Sequence, residues 1–103
     1  MIIDSHCHLT YEPMCSSLKE TINRANNDGV KYLLTISTED KSFQNILKIL
    51  DNYSCVYGTY GIHPHEAKNH KNITTEYIVK KINENKKIIG VGETGLDFYY
   101  NHS

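Results

Sequence analysis

Four short apolar runs, spaced about one helix apart, set the limits on what this chain can fold into. They are Met1-Ile2-Ile3, Lys31–Ile36, Ser54–Tyr60 and Lys87–Gly92. Runs this short read as buried strands. The stretch after each of the first three is long enough for a right-handed crossover to a parallel neighbour. Four parallel strands with three helical crossovers mean an α/β fold.

The intervening stretches carry helix signals. Ser17-Leu18-Lys19-Glu20 has the spacing of a capping box, and Leu18, Ile22 and Ala25 recur at helical intervals before Gly29, which suits a left-handed stop. Ser37 or Thr38 is expected to cap the second helix, with Glu39 and Asp40 in its first turn and Phe43, Ile46, Leu47 and Leu50 as its apolar stripe. Thr74 or Thr75 is expected to cap a third helix carrying Ile78, Val79 and Ile82.

Polar clusters close three of the strands. Asp4-Ser5-His6-Cys7-His8 ends the first, where alternation places Asp4, His6 and His8 on one face and Ser5 and Cys7 on the other. Residues two apart in a strand are separated by roughly 6–7 Å, so two imidazoles can lean onto one divalent ion with bonds of about 2.0–2.1 Å. Gly61-Ile62-His63-Pro64-His65 repeats the spacing after the third strand. Pro64 holds His63 extended, so both rings should project the same way, toward a metal or toward an anionic oxygen. Gly92-Glu93-Thr94-Gly95-Leu96-Asp97 follows the fourth strand, and the two oxygens of Glu93 allow it to bridge a pair of ions. Asp97 reads equally as a turn cap, Tyr99 and Tyr100 as packing or as stacking surface for a base, and Cys7 as a buried, inert thiol. The three clusters all fall on the C-terminal edge of the sheet, where ligands bind in parallel α/β folds. The first and fourth strands are expected to end side by side there.

Composition narrows the setting. The 103 residues make one domain at most, and a net charge of −1 gives no basic surface for nucleic acid. Six histidines against two phenylalanines and no tryptophan lean toward chemistry over packing. Three cysteines without C-x-x-C spacing argue for free thiols. With no signal-peptide pattern and no membrane-length apolar run, a cytoplasmic location is expected, with no membrane association and no obligate protein partner.

Taken together, Ile3-Asp4-Ser5-His6-Cys7-His8-Leu9, Gly61-Ile62-His63-Pro64-His65 and Gly90-Val91-Gly92-Glu93-Thr94-Gly95-Leu96-Asp97-Phe98-Tyr99-Tyr100 resemble the three N-terminal signatures of the TatD-type metal-dependent deoxyribonucleases, in the family's order and across the whole chain. The resemblance implies a (β/α)8 TIM barrel that hydrolyses DNA phosphodiester bonds, often from an end, with two divalent ions (Mg, Mn or Zn). By position, it implies His6 and His8 on the first metal, Glu93 bridging to the second, and His63 and His65 lining the pocket near the scissile phosphate.

The family's two further histidines and its general-base aspartate would lie beyond Ser103, and His102 is too close to the fourth strand to replace them. Residues 1–103 are therefore expected to be a partial barrel domain, the N-terminal half of a barrel that typically runs ~250 residues. It should be inactive alone, with an apolar sheet face and two strand edges uncovered. The same residues are open to hydrolysis of another ester or amide, such as aminoacyl-tRNA deacylation, or to a non-catalytic metal-binding role. The polymerase-and-histidinol-phosphatase family opens with a similar strand but lacks the Gly-Glu-Thr-Gly-Leu-Asp signature.

Overall fold

The computed structural model describes residues 1–95, apart from the side chain of Asn69. Asp97, Tyr99, Tyr100 and His102 lie outside them. Four strands alternate with three α-helices: β1 Ile2–Cys7, α1 Leu18–Asn27, β2 Val30–Thr35, α2 Asp40–Asn52, β3 Val56–Tyr60, α3 Thr75–Ile82 and β4 Ile88–Val91. The strands form one parallel sheet in the order β1-β2-β3-β4. This is the α/β, four-strand, three-helix pattern of the N-terminal half of a TIM barrel. Short 3-10 turns at Cys15–Ser17 and Pro64–Asn69 were not foreseen.

The core lies between the helices and one face of the sheet. Phe43, Ile46, Ile49 and Leu50 of α2 pack with Val56 and Tyr60 of β3, and Leu9, Ile22, Leu33 and Ile88 complete the cluster. Two polar clamps reinforce it. The Asp40 carboxylate accepts from the Tyr60 hydroxyl at 2.6 Å and the Tyr77 hydroxyl at 2.8 Å, tying α2 to β3 and α3. Burial first, and the Asp40 carboxylate second, push the Tyr60 phenol well above its ordinary pKa. At the other end of α2, Lys87 Nζ donates to the Leu50 and Tyr53 carbonyls at 3.1 and 2.7 Å. It thereby satisfies groups that the helix terminus leaves open.

The opposite face of the sheet is bare among the described residues. Ile3, Tyr32, Leu34, Tyr57 and Ile89 line a shallow apolar recess of about 390 Å³ there. The expectation that β1 begins buried is therefore wrong: Ile2 and Ile3 are 56% and 54% exposed. β1 is an edge strand, and the helix layer reaches only the other face.

Local geometry corrects three further expectations. Ser17 stands at the N-cap position of α1 but makes no capping bond; the chain enters the helix through the 3-10 turn, where the Ser17 N–H bonds the Met14 carbonyl. Ser37 and Thr38 do not cap α2. That position belongs to Glu39, whose N–H bonds Ser42 Oγ at 3.1 Å. Alternation in β1 also fails. Asp4 pairs with Leu33 and Cys7 with Thr35, three steps against two, so β1 carries a bulge. Ser5 consequently borders the open-face recess while Cys7 packs on the core. Gly29 does take the left-handed conformation after α1 (φ +95°), and Thr74 Oγ1 does cap α3, accepting from the Tyr77 N–H at 3.1 Å.

Candidate metal centre

The sequence leads to the expectation that β1 and β4 end side by side, but they are separated by β2 and β3. The twist of the parallel sheet nevertheless brings side chains from their C-terminal ends together. One ligand atom from each of His6, His8 and Glu93 can be chosen so that all lie within 4.8 Å of one another. His6 Nε2 is 3.3 Å and His8 Nε2 3.8 Å from Glu93 Oε2. Asp4 does not join them; its Oδ1 accepts from the His6 N–H at 3.1 Å, turned onto its own backbone by the bulge.

Glu93 faces two ways. While Oε2 points to the β1 histidines, Oε1 lies 3.2 Å from His63 Nε2. The His63 Nδ1 accepts from the His65 N–H at 3.0 Å, so in the neutral ring the proton sits on Nε2, on the side that faces Glu93. His65 packs edge-on against His63, with ring centroids 4.4 Å apart. Both rings line one cleft of about 330 Å³ together with His6, His8, Glu93, Tyr11, Thr38 and Glu66. The apolar recess on the open sheet face is of similar size but is lined by no histidine, cysteine or carboxylate, so the candidate metal ligands all lie in the histidine cleft.

Two contacts in this cleft were not foreseen from the sequence. Tyr11 stacks on His8, with centroids 4.7 Å apart and planes 15° off parallel. Its hydroxyl bonds Thr38 Oγ1 at 3.1 Å, and the Thr38 carbonyl accepts from the His63 N–H at 2.8 Å. The β1 and β3 loops are thus joined through the loop after β2. The signal was an aromatic residue three positions beyond His8, which the sequence offers no way to pair. His8 Nδ1 is shut away from solvent with no hydrogen-bond partner among the described residues, so the ring's polar reach is through Nε2.

Glu93 is fixed mainly through its backbone. Its N–H bonds the Ser37 carbonyl at 2.9 Å, and the Gly92 N–H bonds the Tyr60 carbonyl at 2.8 Å. The fit is so close that a Cβ on Gly61 would come within 2.7 Å of the Glu93 nitrogen, and nearer still to the Gly92 carbonyl group. Glycine at 61 is therefore a condition for this packing. Cys7, beneath the site, donates its thiol to the Leu34 carbonyl, and burial together with the nearby Asp4 pushes its pKa up to about 12.

Two imidazoles and a carboxylate within this reach form a nitrogen–oxygen donor set that fits a divalent cation. The electrostatics agree, since Glu93 and Glu66 line the same cleft and an anionic ligand would enter it only with compensating positive charge. Residues 3–103 match the family described as TatD related DNase. The chain belongs to this TatD family.

Among the TatD relatives, an uncharacterized metal-dependent hydrolase of Buchnera aphidicola subsp. Baizongia pistaciae is 36% identical over 104 residues, covering 98% of this chain and 38% of the relative. A protein of Shigella flexneri named 3'-5' ssDNA/RNA exonuclease TatD is 29% identical over 102 residues, covering 99% of this chain and 39% of the relative. The crystal structure of YjjV, a TatD homolog from Escherichia coli, superposes with a TM-score of 0.80 at 26% identity, covering 97% of this chain and 39% of that one. The chain therefore spans about two fifths of the length of the TatD proteins it matches. No helix of the described residues is long and apolar enough to cross a membrane.

Proposed function

We propose that residues 1–103 form a partial barrel domain of a cytoplasmic enzyme that hydrolyses phosphodiester bonds at the ends of DNA, using divalent cations held by His6, His8 and Glu93. The observation that carries the reading is the convergence of these three side chains from opposite edges of the sheet. Relatives named as ssDNA/RNA exonucleases or metal-dependent hydrolases support the reaction class. The two carboxylate oxygens of Glu93 would allow it to bridge a pair of ions. A mixed nitrogen–oxygen donor set suits zinc or manganese, and magnesium less well.

When bound, the cations supply Lewis acidity toward a phosphoryl oxygen and toward water. His6 and His8 present Nε2 atoms from a strand end, with Tyr11 stacked on the His8 ring to hold its plane. His63 keeps its proton on Nε2 because its Nδ1 is occupied by the His65 N–H, so it acts as a hydrogen-bond donor and not as a ligand. With Glu93 turned to the cations, that proton is free to be donated to a phosphate oxygen, while His65 lines the wall beside it.

The test is nucleotide release from single-stranded DNA by the polypeptide whose reading frame contains these residues, with Mn2+ present or removed by chelation. The reading expects cation-dependent release that is abolished by Glu93→Ala. Release that persists in chelator or survives the substitution refutes it. Turnover of an ester or amide with DNA untouched would replace the substrate assignment.

A further inference from the structure

We infer that Thr59, a residue with no contact to the cleft, is a positioning residue that sets where Glu93 stands. This rests on the reading of Glu93 as a cation ligand. Thr59 lies near the end of β3 and is only 6% exposed. Its Oγ1 donates to the Gly92 carbonyl at 2.7 Å and accepts from the Ser37 N–H at 3.3 Å. Ser37 in turn takes the Glu93 N–H on its carbonyl at 2.9 Å, and its own hydroxyl donates to the Gly61 carbonyl at 3.2 Å.

The Gly92-Glu93 segment is thus gripped from two sides, and one hydroxyl belongs to both grips. It restrains Gly92 directly and orients Ser37, the partner of Glu93. Glu93 has left the sheet at this point, because β4 ends at Val91. Beyond the strand, the backbone bonds to Tyr60 and Ser37 hold it, and the Thr59 hydroxyl braces the groups that make them. Groups that orient a metal ligand without touching the ion typically change metal affinity by roughly 10–100-fold when lost.

Thr59→Val keeps the shape and removes the hydroxyl, whereas Thr59→Ser keeps the hydroxyl and removes the methyl. Two readouts follow on the 103-residue chain. Hydrogen exchange at the Glu93 amide should speed up at least about tenfold in Thr59→Val while the α2 amides are unchanged, and Thr59→Ser should hold native protection. Titration with Mn2+ alone should show about tenfold weaker binding for Thr59→Val and native binding for Thr59→Ser. Glu93 protection in Thr59→Val within about twofold of native overturns the inference, as does equal loss in both variants. A Glu93→Gln control separates the two claims. If it binds Mn2+ as tightly as native, the cation reading fails, and amide exchange still judges the grip of Thr59 on Glu93.

Discussion

Replacing Gly61 by alanine puts a methyl group where the backbone of the fourth strand's exit already stands. The added Cβ would lie 2.5 Å from the Gly92 carbonyl oxygen and nearer still to its carbon, so reaching ordinary contact at 3.4 Å requires an opening of at least about 0.9 Å (3.4 − 2.5). The obstructing atoms are backbone and cannot rotate aside. The separation must come from the bonds that hold the two chains together: Gly92 N–H to the Tyr60 carbonyl at 2.8 Å and Glu93 N–H to the Ser37 carbonyl at 2.9 Å. Overpacking at a site that cannot relax costs about 1–3 kcal/mol, and a weakened hydrogen bond about 1 kcal/mol. A loss of roughly 2 kcal/mol lowers the melting temperature of a domain this size by about 8–16 °C. Because the displaced residue is Glu93, cation affinity should fall with it. The assay is a circular-dichroism melt of Gly61→Ala beside native protein, with and without Mn2+. A variant that melts within about 2 °C of native and binds Mn2+ equally well would refute the packing argument.

Other consequences concern the protein away from the cleft. The Tyr60 and Tyr77 phenols are both held above their ordinary pKa, Tyr60 mainly by burial and Tyr77 mainly by its hydrogen bond to Asp40. A raised pKa in the folded state means stability that is complete below about pH 10 and lost as pH rises beyond it. Urea melts should therefore show stability falling above about pH 10, and Tyr60→Phe should flatten that fall while lowering stability at neutral pH. Cys7, half-buried and with its thiol pushed up to about 12, should react with maleimide far more slowly at pH 8 in native protein than once urea unfolds the chain. Exposed Cys15 reports labelling by mass spectrometry in the same sample. Equal labelling of Cys7 and Cys15 in native protein would contradict its placement.

Much of the architecture was written in local signals. Gly29 and Thr74 mark helix boundaries because a left-handed stop and a hydroxyl cap depend on a few neighbouring residues. The alternation of apolar runs and amphipathic stretches sufficed for a parallel sheet, and with it for one edge carrying His6, His8, His63, His65 and Glu93. Features set by tertiary partners were not legible. The β1 bulge depends on register against β2, which no property of residues 4–7 reveals. Ser37 and Thr38 looked like caps for α2, but their groups serve the neighbouring strand ends and Tyr11, leaving the cap to Glu39 and Ser42. Exposure of Ile2 and Ile3 follows from an open sheet face, whereas hydrophobicity alone argued for burial. The proton position on His63 could be deduced only once the His65 N–H was seen to occupy Nδ1.

A structure determined from crystals grown with Zn2+, using anomalous scattering at the zinc edge, tests the central claim most directly. The account predicts a peak about 2.0–2.2 Å from a nitrogen of His6, a nitrogen of His8 and an oxygen of Glu93. Full zinc occupancy elsewhere, with these three side chains left uncoordinated, would contradict it.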